Sequence, residues 1–386
     1  MGLSVLVAGG GTGGHLYPGI AVARELLSRL PDADVTFVGT AAGIEARAVP
    51  REGFAFEVIR SAGLKGRSLR SLMRGIALLP VSAFDAWRVL SRRRPSVVIG
   101  VGGYSSGPVV LLAALRGIPT LLMEQNAMPG VTNRLLARVV DTAAVTYQES
   151  VPFFGRKAVL SGNPVRPEFF STASTEPSSV DTEAPELLDR DASRGKDGTS
   201  GRDELSATVV RVLVFGGSQG AHAINVAMVE AAARLASNTP RLAVTHQTGE
   251  RDLEMVRGAY QRAGLDARVE PFLFAMDGEM KAADLVICRA GSTTLAELAA
   301  TGRASILVPL PTATDDHQRQ NALARASHGA ARIVEQSELY GDRVAAEVLA
   351  LAGDPDLRRS MEEAAKALAT PEAAGVIVDE VLALAR

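Results

Sequence analysis

The chain has 386 residues, room for two or three domains at roughly 100–200 residues each. Its 41 basic and 43 acidic residues nearly cancel, and 47% of the chain is apolar; this excludes wholesale disorder and argues against a generally basic nucleic-acid binder. The lone cysteine, Cys288, excludes an intramolecular disulfide framework and a Cys-rich zinc site.

The chain opens on MGLSVLVAGGGTGGH. Its short apolar run stops at glycines and lacks a basic flank, which predicts a buried strand entering a loop rather than a signal peptide. No run reaches the roughly 18 apolar residues of a membrane span, so a cytoplasmic protein is the default. The turn Gly9–His15 formally contains G-x-G-x-x-G. A dinucleotide site would also want an acid ending the second strand, but Val35-Thr36-Phe37-Val38-Gly39-Thr40 has none. His15 closes the glycine turn, where an imidazole can serve as a general base or simply pack at a helix start.

Leu64–Arg94 carries eight basic residues (Lys65, Arg67, Arg70, Arg74, Arg88, Arg92, Arg93 and Arg94) and one acid, Asp85. Leu69, Leu72, Met73, Ile76 and Leu79 recur at helical spacing. Such a segment can lie on an anionic membrane, with Arg70, Arg74, Arg92 and Arg93 as its contacts, or be a solvated helix face. A second glycine turn, Gly102–Pro108, follows the β-branched run Val97–Gly100, and Thr120–Leu122 predicts another strand.

From Ser171 to Ser206 the sequence turns to Ser, Thr, Asp, Glu and Gly, which predicts a polar, disordered linker. The pattern before it then recurs: VLVAGGGTGGH from Val5 is echoed by VLVFGGSQGAH from Val212. Further strand–helix units follow, with strands at Leu285–Cys288 and Ser305–Val308. Together these predict two doubly wound α/β domains with ligands beyond the carboxyl ends of their strands. No G-K-S or G-K-T exists, against a Walker-type ATPase. The D-x-D strings at Asp32, Asp189 and Asp354 are read as structural, and no obligatory metal or other cofactor is expected. Gly291-Ser292-Thr293 is an anion-friendly helix start, and Glu297, one turn on, can accept from ribose hydroxyls or complement the helix dipole. Residues 1–165 carry net +8 and residues 166–386 net −10.

GGGTGGHLYPGIAVA, GGYSSGP, EQNAMPGVTNR, SGNPVRPE, GGSQGAHAIN, CRAGSTTLAE and DDHQRQNA occur in that order. The series resembles the bacterial MurG family, UDP-N-acetylglucosamine:lipid I N-acetylglucosaminyltransferases. The resemblance implies a GT-B fold, two Rossmann-like parallel-sheet domains facing a cleft. The expected units are an acceptor- and membrane-facing domain (1–167), the linker (168–207), a UDP-sugar domain (208–370) and a C-terminal helix (371–386) packing back on the first. It further implies a metal-free, inverting transfer of N-acetylglucosamine to the 4-hydroxyl of the muramoyl sugar of lipid I, at the cytoplasmic face of the membrane, with no nucleic-acid partner. Within that family pattern His15 is the base, with Tyr104, Asn126 and Glu124 at the catalytic centre. Thr12, Gly13 and Gly14 line the cleft near the donor, which Asn126 also contacts. Arg166 and Ser218 hold donor groups near the diphosphate, and Leu273 meets uracil through its backbone. Gly291, Ser292, Thr293, Thr294, Leu295 and Ala296 form the diphosphate-binding helix start. Glu297 takes the ribose, and His317 and Gln318 the sugar. Met123 stands where the family often has histidine. Other UDP-sugar transferases and UDP-N-acetylglucosamine epimerases share the architecture.

Overall fold

A computed structural model describes residues 2–61, 69–171, 209–217, 221–237 and 240–386, without the side chains of 69–77. The linker from 172, Ser218, Lys65 and Arg67 therefore lie outside the described residues, as do the side chains of Arg70 and Arg74.

The first sheet has seven strands: β1 (Ser4–Gly9), β2 (Asp34–Gly39), β3 (Ala55–Val58), β4 (Val97–Gly102), β5 (Thr120–Glu124), β6 (Thr142–Val145) and β7 (Ala158–Leu160), in the order β3-β2-β1-β4-β5-β6-β7. The second has six: β8 (Val210–Phe215), β9 (Leu242–Gln247), β10 (Asp266–Glu270), β11 (Leu285–Cys288), β12 (Ala304–Leu307) and β13 (Ala331–Ile333), in the order β10-β9-β8-β11-β12-β13. All pairings are parallel. The central strands are apolar throughout because helices cover both faces of each sheet. Strand order reverses between β1 and β4 and again between β8 and β11. Helices after the two strands leave on opposite sides there, opening a crevice at the carboxyl edge.

The first helix runs Gly13–Arg29, starting inside the glycine turn, and contains Pro18. Asp354-Pro355-Asp356 serves as a helix start: the Asp354 side chain accepts from Leu357 N at 2.9 Å, and helix Pro355–Ala367 follows.

The chain crosses between the domains twice. At Gly162, whose φ is +79°, an added Cβ would strike Thr370, so the two crossings touch. Phe169 already belongs to the core of the second domain, beside Phe215 and Met280. The last helix, Ala373–Leu384, returns to the first domain: Ile377, Val378 and Val381 are buried among Val5, Leu16 and Ile99. Arg29 fixes its outer side through Asp379 at 2.7 Å.

Candidate active site

Each crevice is built by a glycine turn. Gly9, Gly10 and Gly11 have φ of 140°, 139° and 85°. A Cβ on Gly9 would lie 2.4 Å from Gly102 O, and one on Gly10 would lie 2.6 Å from the Glu45 carboxylate. Only glycine lets the first turn seat against the second, where Gly10 N donates to Gly102 O at 3.3 Å. Glu45 is fully buried. It accepts from Gly11 N at 2.8 Å, Thr40 N at 3.0 Å and Thr40 Oγ1 at 3.1 Å. A carboxylate thus occupies a turn N–H that a dinucleotide phosphate would need. Glu45 was missed in the sequence, since nothing local marks it as more than a helix-start acid.

His15 lies in the first turn of the first helix. Its Nδ1 is 3.1 Å from Thr12 Oγ1, and its ring covers Gly102. Protein atoms crowd the imidazole although it keeps some contact with solvent. This desolvation, with His317 nearby, pushes its pKa down to about 4, so it is neutral at pH 7. Tyr104 is partly exposed on the second turn, with its ring beside Gly11.

The second domain meets this turn directly. Pro18 has no N–H, so the carbonyl of Gly14 lacks its helical donor. Thr293 Oγ1 donates to that carbonyl at 3.0 Å from across the cleft. Thr293 stands in the first turn of helix Ser292–Thr301, whose start at Gly291 has no side-chain cap. Leu295 and Ala296 present no free polar group there. Their side chains are buried, and Leu295 N closes the helix onto Gly291 O at 3.0 Å. The helix start offered to an anion is therefore Gly291 to Thr294.

Glu124 is gripped from within its own domain. It is buried, and its oxygens accept from Asn126 N (3.0 Å), Asn126 Nδ2 (3.1 Å), Gly130 N (3.1 Å) and Asn133 Nδ2 (2.9 Å). Burial nonetheless raises its pKa. It holds the Asn126 loop. Asn126 Oδ1 accepts from Asn321 Nδ2 of the other domain at 3.1 Å, and Asn321 Oδ1 accepts from Ala127 N at 2.8 Å. Asn321, fully buried and not singled out beforehand, thus joins the two halves.

Glu297 is mostly buried, which raises its pKa to about 7, with Arg166 at 3.8 Å opposing the shift. Arg166 also lies over the rings of Tyr17 (5.5 Å) and Phe169 (5.0 Å). His317 Nδ1–H donates to Thr314 O at 2.6 Å, freeing Nε2. Gln318 Oε1 accepts from Leu310 N at 3.0 Å. Leu273 N–H is taken by Gln247 Oε1 at 2.9 Å, and Gln247 Nε2 donates to Gly217 O at 3.0 Å. Gln247 thus ties the Leu273 loop to the glycine turn that leads to Ser218. Burial pushes the Cys288 thiol up, leaving it a packing residue. Among the described residues, no group of three or more His, Cys, Asp or Glu is placed to hold a metal.

The glycosyltransferase family 28 N-terminal domain model matches residues 5–145, and the C-terminal domain model matches 211–377. The chain belongs to glycosyltransferase family 28. A "UDP-N-acetylglucosamine--N-acetylmuramyl-(pentapeptide) pyrophosphoryl-undecaprenol N-acetylglucosamine transferase" of Pelobacter propionicus is 47% identical, covering 98% of this chain and 99% of the relative. The protein of the same name from Myxococcus xanthus is 44% identical over 98% of this chain and 92% of its own. The crystal structure of Acinetobacter baumannii MurG superposes with a TM-score of 0.76 at 28% identity, covering 99% of both chains.

Asn321→Ala strands Ala127 N–H and Asn126 Oδ1 in the interface. We expect it to lower unfolding stability by about 1–3 kcal/mol in urea titration. An unchanged midpoint would show that the bridge contributes nothing.

Proposed function

We propose that the chain is an inverting transferase moving N-acetylglucosamine from UDP-N-acetylglucosamine to the 4-hydroxyl of the muramoyl sugar of lipid I. The observation that carries this reading is the neutral imidazole of His15 facing, across the Gly14–Thr293 bond, an uncapped helix start. The relatives' printed names supply donor and acceptor. Gly291 to Thr294 would receive the diphosphate through helix-start amides, with Arg166 near the ribose end beside Glu297.

His15 takes the acceptor proton as the hydroxyl attacks the anomeric carbon from the face opposite UDP. With Thr12 Oγ1 accepting from Nδ1–H, Nε2 keeps its lone pair. A pKa near 4 makes a weak base in the empty cleft. The charges of the arriving diphosphate raise it, so base strength is gained when the donor binds. Tyr104, Thr12, Asn126, His317 and Gln318 would orient the sugars around this centre.

The acceptor is lipid-linked, and we place the enzyme peripherally on the cytoplasmic face of the membrane. No helix among the described residues is long and apolar enough to cross one. Helix Leu69–Arg93 exposes Leu79, Phe84 and Trp87, with the two rings stacked at 6.3 Å. Exposed Leu111 and Leu115 lie on the neighbouring helix, whose C-terminal Arg116 donates to Ser91 Oγ at 3.0 Å. The expected roles of Arg92 and Arg93 change: both pair with Glu57, Arg93 at 2.7 Å. Aromatic insertion supported by Arg88 is the better-founded contact.

Transfer of labelled N-acetylglucosamine to lipid I tests the reading, with and without chelator. Loss under chelator would overturn the metal-free mechanism, and no transfer would overturn the function. His15→Ala should cut turnover about 10²–10⁴-fold while UDP affinity stays within about 2-fold. Near-normal turnover would remove His15 from the base role. Ionised, Glu297 can accept from both ribose hydroxyls, whereas protonation turns one of its oxygens into a donor. With its pKa raised to about 7, UDP affinity should fall about 10-fold from pH 8 to pH 6. Glu297→Gln should bind weakly and flatten that profile; a flat wild-type profile would count against the ribose contact. Phe84→Ser with Trp87→Ser should weaken binding to phosphatidylglycerol vesicles about 10-fold or more, whereas Arg92→Gln with Arg93→Gln should change it less. The reverse ranking would restore the purely basic contact.

A further inference from the structure

The internal repeat places a second histidine where the first domain has His15: VLVAGGGTGGH ends on His15 and VLVFGGSQGAH on His222. β8, β9 and β11 end level, with Phe215 opposite both Gln247 and Cys288. His222 opens helix His222–Ala236 on one lip of the β8/β11 crevice, and Gly291 to Thr294 form the other. The function proposed above places the donor diphosphate at that second lip.

The two histidines differ in what stands behind them. His15 Nδ1 meets a threonine hydroxyl. His222 Nδ1 lies 3.0 and 2.9 Å from the two carboxylate oxygens of buried Asp252. A carboxylate only accepts, so Nδ1 carries the hydrogen and Nε2 is turned away from Asp252 on a half-exposed ring. Asp252 is itself anchored. It accepts from Asn225 Nδ2 at 2.8 Å, and that nitrogen also reaches Thr248 O at 2.9 Å. Asn225 Oδ1 must then accept from His246 Nε2 at 3.0 Å, and His246 Nδ1 from the Tyr260 hydroxyl at 2.8 Å. His246 is buried and held neutral, its pKa pushed down to about 3, which preserves this polarity. The buried network thus ends in one rigidly held imidazole at the crevice.

We propose that, with the donor nucleotide bound between His222 and Gly291 to Thr294, the Asp252-held ring of His222 donates from Nε2 to a diphosphate oxygen. This rests on the transferase reading. In the transfer the anomeric C–O bond breaks, and its electron pair passes to the β-phosphate oxygen. The acceptor proton goes to His15. His222 keeps its own proton and shares it with the departing phosphate. His222 is therefore a donor-binding residue and not a second base.

Calorimetric titration of the full chain with UDP and with uridine tests the grip. His222→Gln should weaken UDP about 10-fold, leave uridine within about 2-fold, and lower turnover. His222→Lys, which restores a cation, should recover most of the UDP affinity. Arg251, 3.9 Å from Asp252, is unchanged in both variants. Equal losses for UDP and uridine, or no rescue by lysine, would make His222 a structural residue and overturn the inference. So would unchanged UDP binding by His222→Gln while the wild type binds UDP. A wild type that binds no UDP would overturn the donor reading itself.

Discussion

The carbonyl of Gly14 is the point on which the cleft turns. Pro18 removes its helical donor, and Thr293 Oγ1 supplies another from the facing domain. The bond is part-buried, so a Gly14 carbonyl closed under the second domain without this partner would cost up to about 1–3 kcal/mol. The bond lies one residue from His15 and at the start of the helix proposed to hold the diphosphate. One missing N–H therefore ties the turn that carries His15 to the helix start facing it.

Asn321 performs a similar task on the other side of the cleft. Glu124 aligns Asn126, and Asn126 and Ala127 are then read by a single amide from the second domain. Four local donors saturate the Glu124 carboxylate, which makes it a rigid foundation and a poor reagent. Rigidity of this kind suits the proposed metal-free transfer, in which preorganised amides and side chains would stabilise the leaving group without reorganising.

Much of this architecture was legible in the chain. Strands such as Val5–Ala8 and Leu285–Cys288 are uniformly apolar because both sheet faces are covered, and glycine turns mark where each strand yields to a helix. Helix starts were less legible: Gly13–Arg29 begins within glycines that local pattern assigns to a turn. The long-range bonds were not legible at all. Glu45, Asn321 and Gln247 are ordinary polar residues until folding brings them to Gly11, Asn126 and Leu273. The family resemblance supplied roles for the site residues, but it could not show the four hydrogen bonds that reach Glu124 or the burial of the Leu295 and Ala296 side chains.

The charge asymmetry changes meaning once partners are known. The first 165 residues carry a net +8, concentrated in Leu64–Arg94. Arg92 and Arg93 both return to Glu57, and Asp85 faces Arg60 at 2.7 Å. These pairs fasten helix Leu69–Arg93 to the sheet's β3 side and withdraw part of the positive charge from the solvent. A surface that has lost some of its cations while exposing Phe84, Trp87 and Leu115 is less suited to long-range capture than to shallow insertion. Burying a Phe or Trp ring contributes about 1.5–3 kcal/mol, against about 1 kcal/mol for each basic residue near an anionic surface. On those magnitudes the aromatic pair outweighs Arg92 and Arg93 in the proposed membrane contact, and the net charge of the domain is only part of what would hold it there.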